Sequence, residues 1–112
     1  MPALSIIVPV LNEENSIVAA LDALAPFRQR DAEVIVVDGD SRDRTVEFAR
    51  PLANRVLTAP RGRGAQMNAG AAQAIGNVLL FLHADTRLPR DADRLVRDGL
   101  GDRAWGRFDI RI

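Results

Sequence analysis

The side chains best suited to chemistry follow directly on the most apolar stretches of this sequence. Asn12 and Glu13 come after the first, Asp38, Asp40 and Asp43 after the second, and His83 and Asp85 after the fourth. Asp38 ends a run of apolar residues, so its carboxylate could accept a hydrogen bond from a base or ribose, with an Asx-turn as the alternative. Asp40 is open to ligand contact or to a turn. Ser41 suits a helix N-cap, and Asp43 suits the positive end of the helix that follows. Asp85 is a candidate ligand for Mg²⁺ or Mn²⁺, because these ions need few protein oxygens when ligand phosphates complete the shell. Its alternative is an N-cap. His83 stands two residues earlier, and in extended chain both side chains could face one ligand; a structural histidine at a strand end is equally compatible. Glu13 could contact ribose or tune a metal-bound phosphate and Asn12 could donate or accept beside it, whereas together they also make a helix-capping environment.

A second group is the stretch Arg61-Gly62-Arg63-Gly64. Glycines permit close backbone approach, and guanidinium groups match phosphate oxygens through charge-assisted hydrogen bonds; a solvated surface is the other reading. Gln66, Asn68 and Gly70 could line the same ligand path or serve a helix's exposed and close-packed positions. The stretch lacks GxxxxGK[ST], and the first strand-to-helix turn lacks GxGxxG, so neither a P-loop nor the usual dinucleotide fingerprint is present. Met67 and Trp105 read as packing residues.

These groups need a scaffold that brings strand ends together. Residues 4–10 are an apolar, β-branched run interrupted only by Ser5 and Pro9 and suited to a strand covered on both faces, with Pro9 closing it, and residues 33–37 (EVIVV) read as a second buried strand. Ile17, Ala20, Leu21 and Leu24 fall at helical spacing, with Asn15 or Ser16 as a cap and Pro26 discouraging continuation. A helix is expected over 43–50, a short strand over 55–58, a loop over 60–64, a helix over 65–75 and a strand over 78–82. Pro89 sits at a plausible first helical position for a helix carrying Leu88, Ala92, Leu95 and Val96, and residues 105–112 alternate as a further strand. The alternation predicts a three-layer α/β/α domain around a mainly parallel sheet. Ligands of such sheets bind outside the carboxyl ends of the strands, where all these polar groups would gather. Phe108, Ile110 and Ile112 have nothing after them to cover them, which fits either an incomplete chain or an edge closed by a second copy.

Composition narrows the function. The 112 residues carry 15 basic side chains, all arginine, against 15 acidic ones, so no general nucleic-acid or anionic-membrane surface is implied. Cysteine is absent, which removes disulfides, thiolate catalysis and Cys-based metal sites. The apolar start has no basic segment before it and is followed at once by Asn12, Glu13 and Glu14, unlike a signal peptide or a membrane span. A cytoplasmic chain is expected, with peripheral membrane association left open.

Taken in order, IIVPVLNEENSI, EVIVVDGDSRDRT, GRGAQMNAGAAQAIG and VLLFLHADTRLP resemble the amino-terminal half of a family 2 glycosyltransferase of the GT-A fold, a Rossmann-like nucleotide-diphospho-sugar transferase. More narrowly they resemble small bacterial proteins with GRGAQMN and FLHADT. The resemblance implies that residues 1–112 form the donor-binding portion of a transferase domain, with the acceptor-binding portion absent. It implies base contacts at Pro9, Asn12, Glu13 and Asp38, a metal and diphosphate role for Asp85, and donor contacts along Arg61, Arg63, Gln66 and Asn68. His83 stands where the family often has an acidic residue, a departure that leaves its contact with the sugar nucleotide open. The expected reaction moves a sugar from a nucleotide-diphospho-sugar to an unidentified acceptor hydroxyl with Mg²⁺ or Mn²⁺. Inverting members commonly keep the acceptor-activating carboxylate beyond the stretch seen here, so no catalytic base is nominated. A noncatalytic nucleotide-sugar-binding module and an α/β interaction domain are the alternatives.

Overall fold

Five parallel strands lie in the order β3-β2-β1-β4-β5 in the computed structural model, which describes residues 4–94 and 106–109. The strands are β1 (Leu4–Val10), β2 (Glu33–Asp38), β3 (Arg55–Thr58), β4 (Val78–Phe81) and β5 (Gly106–Asp109). Strand order reverses between β1 and β4, since the chain builds outward from β1 to β3 on one side and to β5 on the other. The register sets Val10 beside Asp38 and Asp38 beside Thr58, so the first three strands end level.

The period of two in each apolar run divides the core into two layers. Ile6, Val8, Val34, Val36 and Leu80 face Ile17, Leu21 and Phe27 from helices α1 (Ile17–Asp22) and α2 (Ala25–Gln29) and Ala49 from α3 (Thr45–Ala49). Ile7, Ile35, Val37 and Phe81 face the other way, against Met67 and Ala69 of α4 (Arg63–Gln73). Gly70 lets α4 lie close on β1, because a Cβ there would stand 2.5 Å from Ile7 Cγ2. The expected three-layer architecture with its parallel sheet is present.

Several local expectations shift. Pro26 lies in the first turn of α2 instead of merely ending α1, consistent with proline's preference for positions where no helical N–H is needed. The expected helix over 43–50 is split into α3 and a 3-10 turn at Arg50–Leu52 that carries Pro51. Arg63 and Gly64 belong to the first turn of α4, not to the loop before it. β5 falls inside the expected last strand and pairs with β4, while Leu95, Val96, Trp105, Ile110 and Ile112 lie outside the described residues. Among the described residues no helix is long and apolar enough to cross a membrane.

Candidate functional site

The carboxyl ends of the strands open onto two clefts that share Arg61. The first, of about 670 Å³, lies beyond β2 and β3 and is lined by Asp38, Asp40, Ser41, Val46, Thr58, Ala59, Pro60 and Arg61. The second, of about 410 Å³, lies where the strand order reverses, with Pro9, Val10, Leu11 and Glu13 from the exit of β1 and His83, Ala84 and Asp85 from the exit of β4. Arg61, Gly62, Arg63 and Gln66 form its remaining wall. Such a reversal leaves a crevice because the connections on its two sides depart in opposite directions.

Asp38 is 2% exposed, and both its oxygens accept from Ser41: Oδ2 from the backbone N–H at 2.8 Å, Oδ1 from the hydroxyl. This is the local turn weighed as an alternative for Asp38, and it leaves further lone pairs on each oxygen for a second donor. Asp40 is exposed with φ +74°, and its carbonyl accepts from Arg61 Nη2 at 3.4 Å.

Asn12, with φ +52°, ties two loops together instead of capping α1. Its N–H donates to Ser41 Oγ at 2.8 Å and its Oδ1 accepts from the Arg42 N–H at 2.8 Å. The join continues as the Glu13 N–H donates to Thr45 Oγ1 at 2.7 Å and the Glu14 N–H to Asp43 Oδ2 at 3.2 Å. The Arg44 N–H returns a bond to Glu14 Oε2 at 3.2 Å. The Glu13 carboxylate accepts from Ser16 Oγ at 2.7 Å, an interaction local to the start of α1. Burial pushes the Asp43 carboxyl upward, but donors from Thr45 and Glu14 outweigh this and hold it below its ordinary value of 3.8. Thr45 is a fully buried hydroxyl that the sequence reading did not single out; its place two residues after Asp43 is the only local signal of its role.

Across the second cleft, Arg63 Nη2 stands 3.1 Å from His83 Nδ1. A guanidinium only donates, so Nδ1 accepts and the ring carries its proton on Nε2. Gln66 is buried and its Nε2 donates to the Val10 and Val37 carbonyl oxygens at 2.8 and 2.9 Å, bridging the ends of β1 and β2. Asn68 is exposed on α4 and lines neither cleft. The two clefts thus gather the other residues singled out for ligand contact, except Gly70, which packs on β1, and Asn12, which joins the two loops.

Asp85 is an exposed carboxylate at the cleft wall, touched by Thr86 Oγ1 at 3.4 Å. Among the described residues no three His, Asp or Glu side chains converge as a metal cage. One accessible hard oxygen beside two arginines fits Mg²⁺ or Mn²⁺ shared with ligand phosphates, and does not fit a metal enclosed by protein alone.

Residues 5–100 match the family described as "Glycosyl transferase family 2", and the chain belongs to it. The chain is 39% identical over 103 residues to a PGL/p-HBAD biosynthesis glycosyltransferase of Mycobacterium bovis, a match covering 86% of this chain and 40% of that protein. It is 30% identical to an undecaprenyl-phosphate 4-deoxy-4-formamido-L-arabinose transferase of Pseudomonas paraeruginosa, across 96% of this chain and 39% of the relative. It therefore spans about two fifths of the length of these relatives. Residues 1–349 of S. aureus TarS superpose with a TM-score of 0.75 at 31% identity, over 89% of this chain and 32% of that one. Glucosyl-3-phosphoglycerate synthase of Mycobacterium tuberculosis, solved with Mn²⁺ and UDP, gives 0.68 at 26% identity, over 75% of this chain and 34% of that one.

Proposed function

We propose that this family 2 member supplies the donor-binding portion of an enzyme that transfers a sugar from a nucleotide-diphospho-sugar to an acceptor hydroxyl. The observation that carries the reading is the pair of clefts joined at Arg61. One has acidic acceptors suited to a nucleoside; the other combines two guanidinium groups with a hard carboxylate, suited to a diphosphate with its cation. Asp38 and Asp40 would receive the nucleoside, Arg61 would span the two parts, and Arg63 and Asp85 would receive the diphosphate. Pro9, Glu13, Gln66 and His83 complete the wall beside it.

A divalent ion held by Asp85 and the phosphates would neutralise charge developing on the leaving diphosphate. Arg61 and Arg63 act on the same charge through preset donors, which lose no orientation energy when the bond to the sugar breaks. Arg63 is itself steered by His83 Nδ1.

The solved relatives were crystallised with UDP or UDP-GlcNAc in one case and with UDP and Mn²⁺ in another, which favours a uridine nucleotide for this chain too. A relative named for an undecaprenyl-phosphate acceptor extends the proposal to a cytoplasmic protein working at the membrane surface. Pairing of two copies through the edge at β5 belongs to the same proposal, since among the described residues β5 bonds to β4 alone.

Calorimetric titration of the folded chain with UDP and GDP, with and without Mn²⁺, tests the reading. Saturable, Mn²⁺-enhanced binding of one nucleotide is expected; a folded chain that binds neither overturns it.

A further inference from the structure

Gln66 has one polar atom left to offer. The residue is 6% exposed and both hydrogens of Nε2 are engaged by the Val10 and Val37 carbonyl oxygens. Two acceptors on one side settle which end of the amide is nitrogen, because the reversed group would set oxygen against oxygen twice. Oε1 has no donor among the described residues, and the side chain lines the smaller cleft. The backbone of the neighbouring loop backs the amide: a Cβ on Gly39 would stand 2.8 Å from Gln66 Cδ and 3.0 Å from Oε1. The group can neither turn over nor swing away without breaking the bridge between β1 and β2.

An acceptor fixed in this way and still open to solvent is repelled by phosphate oxygens, which are acceptors themselves, and is matched by a hydroxyl. Arg61 and Arg63 on the same cleft show the opposite preference. The cleft therefore selects a ligand that carries anionic oxygens and a hydroxyl donor close together.

We propose that Gln66 is a specificity-determining residue whose Oε1 accepts a hydrogen bond from a hydroxyl of the bound nucleotide sugar. The inference rests on the nucleotide-sugar reading above and extends it from where the ligand lies to which of its groups is recognised. The hydroxyl belongs either to the ribose or to the transferred sugar; the chemistry is the same for both.

The test is titration of the whole chain, in Mn²⁺, with the nucleotide it binds and with deoxygenated forms. One arm compares UDP with 2′-deoxy-UDP and 3′-deoxy-UDP; the other compares UDP-glucose with its singly deoxygenated sugars; guanosine counterparts replace them if the chain selects GDP. One missing hydroxyl is expected to weaken binding to the native chain about tenfold, and the arm in which this occurs names the source. Gln66→Met is expected to bind that ligand pair equally. Because Gln66→Met also removes the bridge between strands, its folding is checked by thermal unfolding. Gly39→Ala, which displaces the amide without altering it, is expected to lose the same discrimination. The proposal is overturned if every deoxygenated ligand equals its parent on the native chain, or if the discrimination survives in the folded variants. Failure of the native chain to bind any nucleotide is a different result, and removes the nucleotide-sugar reading itself.

Discussion

Ser41 holds both carboxylate oxygens of Asp38, one through its backbone N–H at 2.8 Å and one through its hydroxyl, and the same hydroxyl accepts from the Asn12 N–H. The carboxylate at the end of β2 is thereby oriented by the exit of β1. Ser41→Ala leaves a buried oxygen and an amide without this partner, and is expected to weaken nucleotide binding about tenfold. Ser41→Thr keeps the hydroxyl and should stay near the native affinity. Titration of the three proteins with UDP checks this, and equal affinities would remove Asp38 from the nucleotide pocket.

Asp85 offers its oxygen to the cleft, and no cage of ligating side chains surrounds it among the described residues. Asp85→Asn should abolish the gain in nucleotide affinity brought by Mn²⁺ while leaving binding in chelator unchanged. An Mn²⁺ titration at fixed UDP reads both numbers. A retained metal effect would place the ion elsewhere.

Gly70 and Gly64 share one helix and should answer the same substitution in opposite directions. Gly70→Ala drives a Cβ to 2.5 Å from Ile7 Cγ2, an overpacking expected to cost about 1–3 kcal/mol. Among the described residues a Cβ on Gly64 meets nothing within 4 Å, so Gly64→Ala should stabilise by up to about 1 kcal/mol through the helix preference of alanine. Urea denaturation of both variants measures the difference.

The depressed Asp43 carboxyl carries a pH signature. A folded-state value below the ordinary 3.8 means the stabilisation is present above that value and fades as pH falls through the lower one. Asp43→Asn should therefore be less stable than the native chain at neutral pH, and the gap should close in acid. Unfolding free energies followed from neutral pH to below about pH 4 show whether the two curves converge.

The strands were the most legible part of the sequence. β2 is buried on both faces, so the four residues 34–37 between its two acidic ends are all apolar and the signal is local. The gathering of Asp38, His83 and Asp85 at one edge followed from strand direction alone. What was not legible was the partnership between loops. Asn12 and Glu13 look like ordinary helix-start residues, and their bonds to Ser41, Arg42 and Thr45 join positions remote in sequence. Gln66 reads as one more polar residue on a helix, because its position over two strand ends depends on how α4 crosses the sheet. Pro26 shows the same limit: local sequence marks a boundary there without saying whether a helix ends or begins.

The join between residues 12–14 and 41–45 also governs which changes in length the chain can absorb. Surface connections usually accept insertions because their backbone is committed to little else. Here the Asn12, Glu13 and Glu14 amides are each donated to a side chain of the other loop, and the Arg42 and Arg44 amides are donated back. Adding a residue to either loop shifts every later partner out of step, so the two can lengthen or shorten only together. In diversified libraries of this scaffold, these two connections form a single unit of variation.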